Sequence, residues 1–299
     1  MVTQPDRPAG RGHKLVATPV KRAAEARGLR VLTPEKLRPF ADEARALGAN
    51  AFVVASYGKI VPQALLDVVP VAFNVHPSLL PLYRGATPLQ SAIRDGRTET
   101  GVTIIAMDAG MDTGDVLLQE RIPIGPMETY GELHDRLAKR GAEFAAEALQ
   151  QYANGTLDRR PQSEVARELG IGDDEIARTL TRPWSKRDWI LTFSDTTKAR
   201  DVVNHVRALS PDPAARLQWT GIGPIKILEA HVADGPGIPY ENLKPGMVEH
   251  TVGGSLWIRT SDGWVSIDRL TPPDRKPMTA RDFYSGYKHI LGQGVVARA

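Results

Sequence analysis

The 299-residue chain carries 38 Lys and Arg against 35 Asp and Glu, a formal charge of +3, and no Cys. That length favours two domains over a single core, and the lack of Cys excludes a disulfide framework, a thiolate nucleophile and any zinc site that needs sulfur. The start, MVTQPDRPAGRGHK, holds no apolar signal segment and no later run approaches a membrane span, so a soluble cytoplasmic protein is expected.

Charge is segregated along the chain. Residues 1–38 hold nine basic and three acidic side chains, a net +6; residues 39–174 hold twelve and nineteen, a net −7; residues 175–299 hold seventeen and thirteen, a net +4. Basic ends around an acidic middle suit a polyanion that touches both ends while its reactive tip enters the centre.

From the amino terminus, Gln4 to Gly12 has two prolines, two glycines and two arginines, which predicts a mobile cationic loop without regular structure. Arg7, Arg11, His13 and Lys14 can reach phosphates there or stack on an unpaired base. Ala51 to Ser56 and Val71 to Val75 are short β-branched runs, which predicts buried parallel strands. Ligands of open α/β sheets bind at the carboxyl ends of such strands. The second run carries Asn74 and leads into His76. Pro77 and Pro81 then hold Ser78, Leu79 and Leu80 in a fixed loop whose backbone can face a ligand. Gly85 releases the chain into a helix over about Thr87 to Asp95, and Gly101 to Met107 returns as a strand. The acidic loop Asp108 to Asp115 is expected at that strand's carboxyl end, beside His76.

An amide, an imidazole and a carboxylate (Asn74, His76 and Asp112) suffice for acyl transfer to an amine. The carboxylate fixes the imidazole and favours its charged form, while imidazole and amide donate to the oxygen that becomes negative. No nucleophilic Ser or Cys is needed when the acceptor is itself an amine. Asp108 and Asp115 fit turn formers equally well. A calcium loop fails on spacing, which demands oxygen ligands at alternate positions and a Glu at the twelfth.

Tyr130 to Tyr152 reads as a long amphipathic helix with Leu133, Leu137, Phe144, Ala148 and Tyr152 on one stripe, and His134 as a surface or packing residue. Asn154 to Asp174 shows no sustained periodicity and reads as a linker. Beyond it, Thr197 to Leu209 is helical with Val202, Val203, Val206 and Leu209 inward. Short β-type runs follow at Ile225 to Val232, Gly246 to Glu249, Ser255 to Thr260 and Trp264 to Ile267, which suggests a small barrel. GIGP at Gly221 to Pro224 reads as a turn. Arg275, Lys276 and Arg281 precede or enter a helix near Thr279 and are candidate phosphate contacts.

FNVHPSLLPLYRGATPLQ at Phe73 to Gln90 together with MDAGMDTGDV at Met107 to Val116 resembles the folate-dependent formyltransferases. QPDRPAGRGHKL and SYGKIVP are similar to the branch of that family whose acceptor is methionyl-initiator tRNA. The resemblance implies an α/β fold: a doubly wound, mainly parallel sheet over residues 1–153, a linker over 154–174, and an OB-like β-barrel tRNA-binding domain over 175–299. It implies formyl transfer from 10-formyltetrahydrofolate to the α-amine of methionyl-initiator tRNA, by a monomer without a metal. Asn74, His76 and Asp112 become catalytic; Tyr57, Gly58 and Ile60, with Ser78, Leu79, Leu80 and Pro81, lie against the folate. Arg11 matches the central arginine of a loop that inspects the acceptor end, and Arg7, Lys14, Arg275 and Lys276 are expected on the tRNA.

The chain begins almost at the QPDRPAGRG loop, so the family's first strand, glycine turn and helix are expected to be missing. That loss implies a misplaced translation start or a compromised sheet. Two other functions fit the residues: formylation of a sugar nucleotide or other small amine, and noncatalytic RNA binding.

Overall fold

A computed structural model describes residues 1–9, 14–237, 243–250 and 254–291; Arg11 and His13 lie outside the described residues. In chain order the elements are β1 (Arg7–Ala9), β2 (Lys14–Val16), α1 (Pro19–Glu25), α2 (Leu37–Ala46), β3 (Phe52–Val54), α3 (Gln63–Leu66), β4 (Ala72–His76), α4 (Pro88–Arg94), β5 (Glu99–Ala106) and β6 (Val116–Pro123). They continue as α5 (Tyr130–Ala153), α6 (Gln162–Leu169), α7 (Asp173–Arg178), α8 (Ala199–Leu209), β7 (Ala215–Trp219), β8 (Gly223–Ala233), β9 (Val248–His250), β10 (Leu256–Arg259), β11 (Trp264–Thr271), β12 (Met278–Thr279) and α9 (Ala280–Leu291). The chain divides into two compact units: Met1–His76 with Thr103–Gln119 and Glu143–Gly170, and Pro77–Val102 with Glu120–Ala142 and Ile171–Ala299. Among the described residues no helix is long and apolar enough to cross a membrane.

In the first unit, Leu37, Phe40, Ala41 and Ala44 recur at helical spacing on α2, and that stripe is buried against Leu65 with Phe52, Tyr57 and Val61 around it. The sheet runs in the order β3-β4-β5-β6. β3 pairs parallel with β4, placing Val54 opposite Asn74, but β5 pairs antiparallel, placing Thr103 opposite His76 and Ala106 opposite Phe73. The sheet is therefore mixed rather than mainly parallel. A parallel neighbour requires a crossover that carries the chain back to the start of the previous strand; the Pro77 to Thr98 excursion, with its seven-residue α4, returns it at the end where β4 finished. β3 is also less buried than its apolar run suggests: it lies at the edge of this sheet, and Val53 stays 43% exposed.

Gln4 to Gly12 is not wholly irregular. β1 and β2 form an antiparallel ribbon with Arg7 opposite Val16, Pro8 opposite Leu15 and Ala9 opposite Lys14. A two-stranded ribbon is all edge, so Pro8 costs it little by lacking an N–H. Lys21 clamps its base through Asp6 at 2.9 Å, and Thr3 bonds Thr18 at 2.9 Å.

In the second unit an antiparallel sheet takes the order β7-β8-β11-β10-β9, with β12 on β11. α8 lays Val202, Val203, Val206 and Leu209 onto it, as its periodicity predicts, and Phe283 of α9 meets Trp219 edge-on at 5.5 Å. β7 had no place among the expected strands, although Ala215, Leu217 and Trp219 alternate inward along it. Gly221 (φ +80°) makes the tight turn that pairs Trp219 with Gly223, so only the first half of GIGP is a turn. α5 runs as expected; at its carboxyl end, which with α6 belongs to the first unit, Tyr152 meets Phe73 edge-on at 5.8 Å. The stretch 154–174 contains α6, which buries Gln162, Val165 and Ala166, and the start of α7.

Candidate active site

β4 places Asn74 and His76 two residues apart, hence on the same face of the sheet. Asn74 Nδ2 donates to Asp112 Oδ1 at 3.0 Å, and Asp112 Oδ2 lies 3.6 Å from His76 Nδ1. The His76 side chain is 5% exposed and that of Asp112 16%. In such surroundings an opposite charge is screened far less than in water. One carboxylate thus braces both the amide and the imidazole.

Asp112 does not reach them from the carboxyl end of a parallel strand. Because β5 is antiparallel, its end lies opposite the start of β4, and the Asp108 to Asp115 loop must fold back along β4. The loop carries its own closures. Asp108 Oδ1 accepts from Gly110 N at 3.0 Å and from Thr113 Oγ1 at 2.8 Å, which makes Asp108 the turn former of the pair considered above. Ala106 N donates to Asp115 O at 2.9 Å. A Cβ at Gly114 would stand 1.7 Å from Ala106 O, so only glycine lets the chain pass. Asp112 itself adopts φ +55°, a left-handed conformation uncommon outside glycine and concentrated at functional sites. The residue that ties this loop down is Gln162, whose Nε2 donates to Asp112 O and to Gly114 O, each at 2.8 Å. By sequence alone Gln162 falls in the linker expected over 154–174. Its one signal was a polar residue next to a helix-starting proline, which is common at helix starts generally.

Around β3, Ser56 (φ +47°) and Gly58 (φ +74°) turn the chain past Tyr57, while Ile60 is 93% exposed. The Tyr57 hydroxyl is buried and has no hydrogen-bond partner among the described residues, and burial pushes its pKa up. In the second unit, Ser78, Leu79, Leu80 and Pro81 are buried, and Ser78 Oγ donates to Leu82 O at 2.7 Å. Ser78 and Leu80 are 0% exposed, main chain as well as side chain, so the loop is packed along its length. Arg7 and Lys14 stand exposed on the β1-β2 ribbon, and Arg7 donates to Gln4 Oε1 at 2.6 Å. Arg275, Lys276 and Arg281 are exposed before and at the start of α9. His134 lies exposed beside Asp135. Among the described residues no group of three His, Asp or Glu is placed to hold a metal ion. A cavity of about 190 Å³ lies at the amino end of β4, lined in part by Leu66, Val71, Ala72 and Met107, and contains none of the triad.

This is the fold of formyl-group transferases. The N-formyltransferase of Helicobacter canadensis, solved with folinic acid and dTDP-3-aminofucose, superposes with a TM-score of 0.60 at 19% identity, over 90% of this chain and 87% of that one. HypX of Aquifex aeolicus, solved with tetrahydrofolic acid, gives a TM-score of 0.60 at 18% identity over 89% of this chain, which spans 44% of HypX. The chain belongs to the formyl transferase family: residues 1–149 match the Formyl transferase domain and residues 185–288 the Formyl transferase, C-terminal domain. Its similarity extends along nearly its whole length to methionyl-tRNA formyltransferases. That of Nitrobacter hamburgensis is 41% identical over 95% of this chain and 86% of its own, and that of Halorhodospira halophila 40% over 98% and 89%.

Proposed function

We propose that this protein transfers a formyl group from 10-formyltetrahydrofolate to the α-amine of methionyl-initiator tRNA, as a cytoplasmic monomer. The observation that carries the reading is the single carboxylate of Asp112 held 3.0 Å from the Asn74 amide and 3.6 Å from the His76 ring. Similarity at about 40% identity to enzymes named for this acceptor supports it.

The chemistry follows from the donor inventory. As the neutral amine forms its bond to the formyl carbon, negative charge develops on the formyl oxygen. Asn74 has two amide hydrogens; one is committed to Asp112, and the second serves the oxyanion. With Nδ1 of His76 turned to Asp112, proton transfer falls to Nε2, and the proton lost by the amine ends on the nitrogen that the formyl group leaves. The donor fits the turn at Tyr57, Gly58 and Ile60, where a buried hydroxyl has no protein partner among the described residues. Ser78, Leu79, Leu80 and Pro81 also bind the folate. Catalysis then belongs to residues 1–153 and RNA contact to an OB-like module in residues 175–299, joined by 154–174. Arg7, Arg11, Lys14, Arg275 and Lys276 meet the tRNA phosphates.

Labelled 10-formyltetrahydrofolate offered with charged initiator tRNA, and separately with aminosugar nucleotides, tests the reading. Label on methionine in the tRNA alone is the expected result. Label on the aminosugar would assign a small-amine acceptor, and no label on either, despite RNA binding, would assign a noncatalytic role.

A further inference from the structure

We infer that Gln162 is a positioning residue for formyl transfer, holding the Asp112 loop in the one path that sets the carboxylate against both Asn74 and His76. The inference rests on the reading of those three residues as the transfer site. Gln162 acts through the backbone on which Asp112 is carried.

The geometry is specific. A primary amide has two hydrogens, and Nε2 of Gln162 has two acceptors at 2.8 Å, Asp112 O and Gly114 O. Between those carbonyls the chain leaves the left-handed conformation at Asp112 and enters the glycine-only passage at Gly114. Gln162 is 5% exposed, and its bond to Gly114 O is fully buried. Without this donor both carbonyls would lose a hydrogen bond, that of Gly114 O in a fully buried place, and a buried hydrogen bond lost is costly enough to move a loop.

Gln162 is itself held from both sides. Arg160 and Val116 exchange backbone hydrogen bonds at 2.8 and 2.9 Å, pinning the chain to the start of β6 immediately after the catalytic loop. Pro161 then opens α6, and Val165 and Ala166 bury its inner face. The helix therefore delivers Gln162 to the loop from a fixed base. Asp112 must satisfy two partners at once, and misplacement of a reacting group by about 1 Å costs on the order of a hundredfold in rate.

The test compares Gln162→Met, of similar length but without a donor, with Val203→Ala, which hollows the core under α8. Gln162→Met is expected to lower kcat for transfer to charged initiator tRNA by about tenfold or more, while KM for the tRNA and the Kd of tetrahydrofolate stay within about twofold. Val203→Ala is expected to lower Tm and leave kcat near wild type below its melting range. Gln162→Asn, which keeps a donor one methylene short, is expected to fall between wild type and the Met variant, and it replaces the Met variant should that one fail to fold. Wild-type kcat in Gln162→Met, an equal loss of kcat in Val203→Ala, or failure of both Gln162 variants to fold would overturn the inference. Asn74→Ala, His76→Ala and Asp112→Ala keep the two readings apart. If they transfer formyl at the wild-type rate, the assignment of the site is wrong; if they are impaired as expected and Gln162→Met keeps the wild-type rate, only the role of Gln162 is wrong.

Discussion

The Asn74 side-chain nitrogen and Asp112 Oδ1 are joined by a 3.0 Å hydrogen bond between residues 38 positions apart, and the other oxygen of the same carboxylate faces His76. Two donors aligned by one strand are thus locked by one acceptor from a loop. Under the proposed chemistry the lock matters because an oxyanion site works by being arranged before charge develops.

Removing the parts of that lock is expected to separate chemistry from binding. Asn74→Ala should slow transfer by about a hundredfold, near 3 kcal/mol of barrier, as for loss of one oxyanion donor. His76→Ala and Asp112→Ala should abolish measurable transfer. Single-turnover rates and filter binding of charged tRNA check this; parallel loss of rate and binding would assign the residues to folding.

Gly114→Ala is expected to abolish transfer and lower Tm, since its Cβ would sit 1.7 Å from the Ala106 carbonyl, a backbone atom that cannot yield. Gly286→Ala offers the opposite case. It lies within α9 with nothing within 4 Å of the added carbon, so it should raise stability by up to about 1 kcal/mol. Thermal melts of the two variants decide whether steric passage or mere glycine flexibility is at issue.

Salt dependence should report the basic contacts. The double variant Arg275→Ala, Lys276→Ala is expected to weaken tRNA binding and to flatten the slope of log affinity against log salt by about one to two. Arg11→Ala should raise KM for tRNA with little effect on folate binding. An unchanged slope in the double variant would remove Arg275 and Lys276 from the RNA contact.

Alkaline stability should depend on Tyr83. Burial raises its phenol to about 12, with Arg97 donating to the hydroxyl oxygen at 3.0 Å and the hydroxyl reaching Asp95 at 3.1 Å. The folded state holds this proton more tightly than the unfolded chain, whose phenols ionise near about 10. The stabilisation is therefore complete below about pH 10 and is lost as pH rises to about 12. Melting of wild type against Tyr83→Phe across that range should show the wild-type advantage shrinking; a constant difference would contradict the linkage.

Much of the site is local in origin and so was legible from the chain. Asn-x-His at the end of an apolar run puts two donors on one face because strand side chains alternate with a period of two, and the helical stripes of α5 and α8 were readable for the same kind of reason. Composition also marked the loop after β5 as acidic and glycine-rich, with Asp112 as its candidate. The ribbon of β1 and β2 is not legible in the chain because Pro and Gly argue against regular structure in general but not against two short strands that are both edges.

Strand direction and loop path belong to the other class. No residue between Pro77 and Thr98 announces that β5 will run antiparallel, since direction depends on where the whole connection delivers the chain. The meeting of Asp112 with Asn74 and His76 follows from that reversal and from the fold-back of the loop. Gln162 is the extreme instance: it acts on a carbonyl 50 residues away, through backbone atoms that every residue possesses. Periodicity and residue type encode what neighbours along the chain do to one another; hydrogen bonds to distant main-chain groups carry no such signature, and only the folded chain decides them.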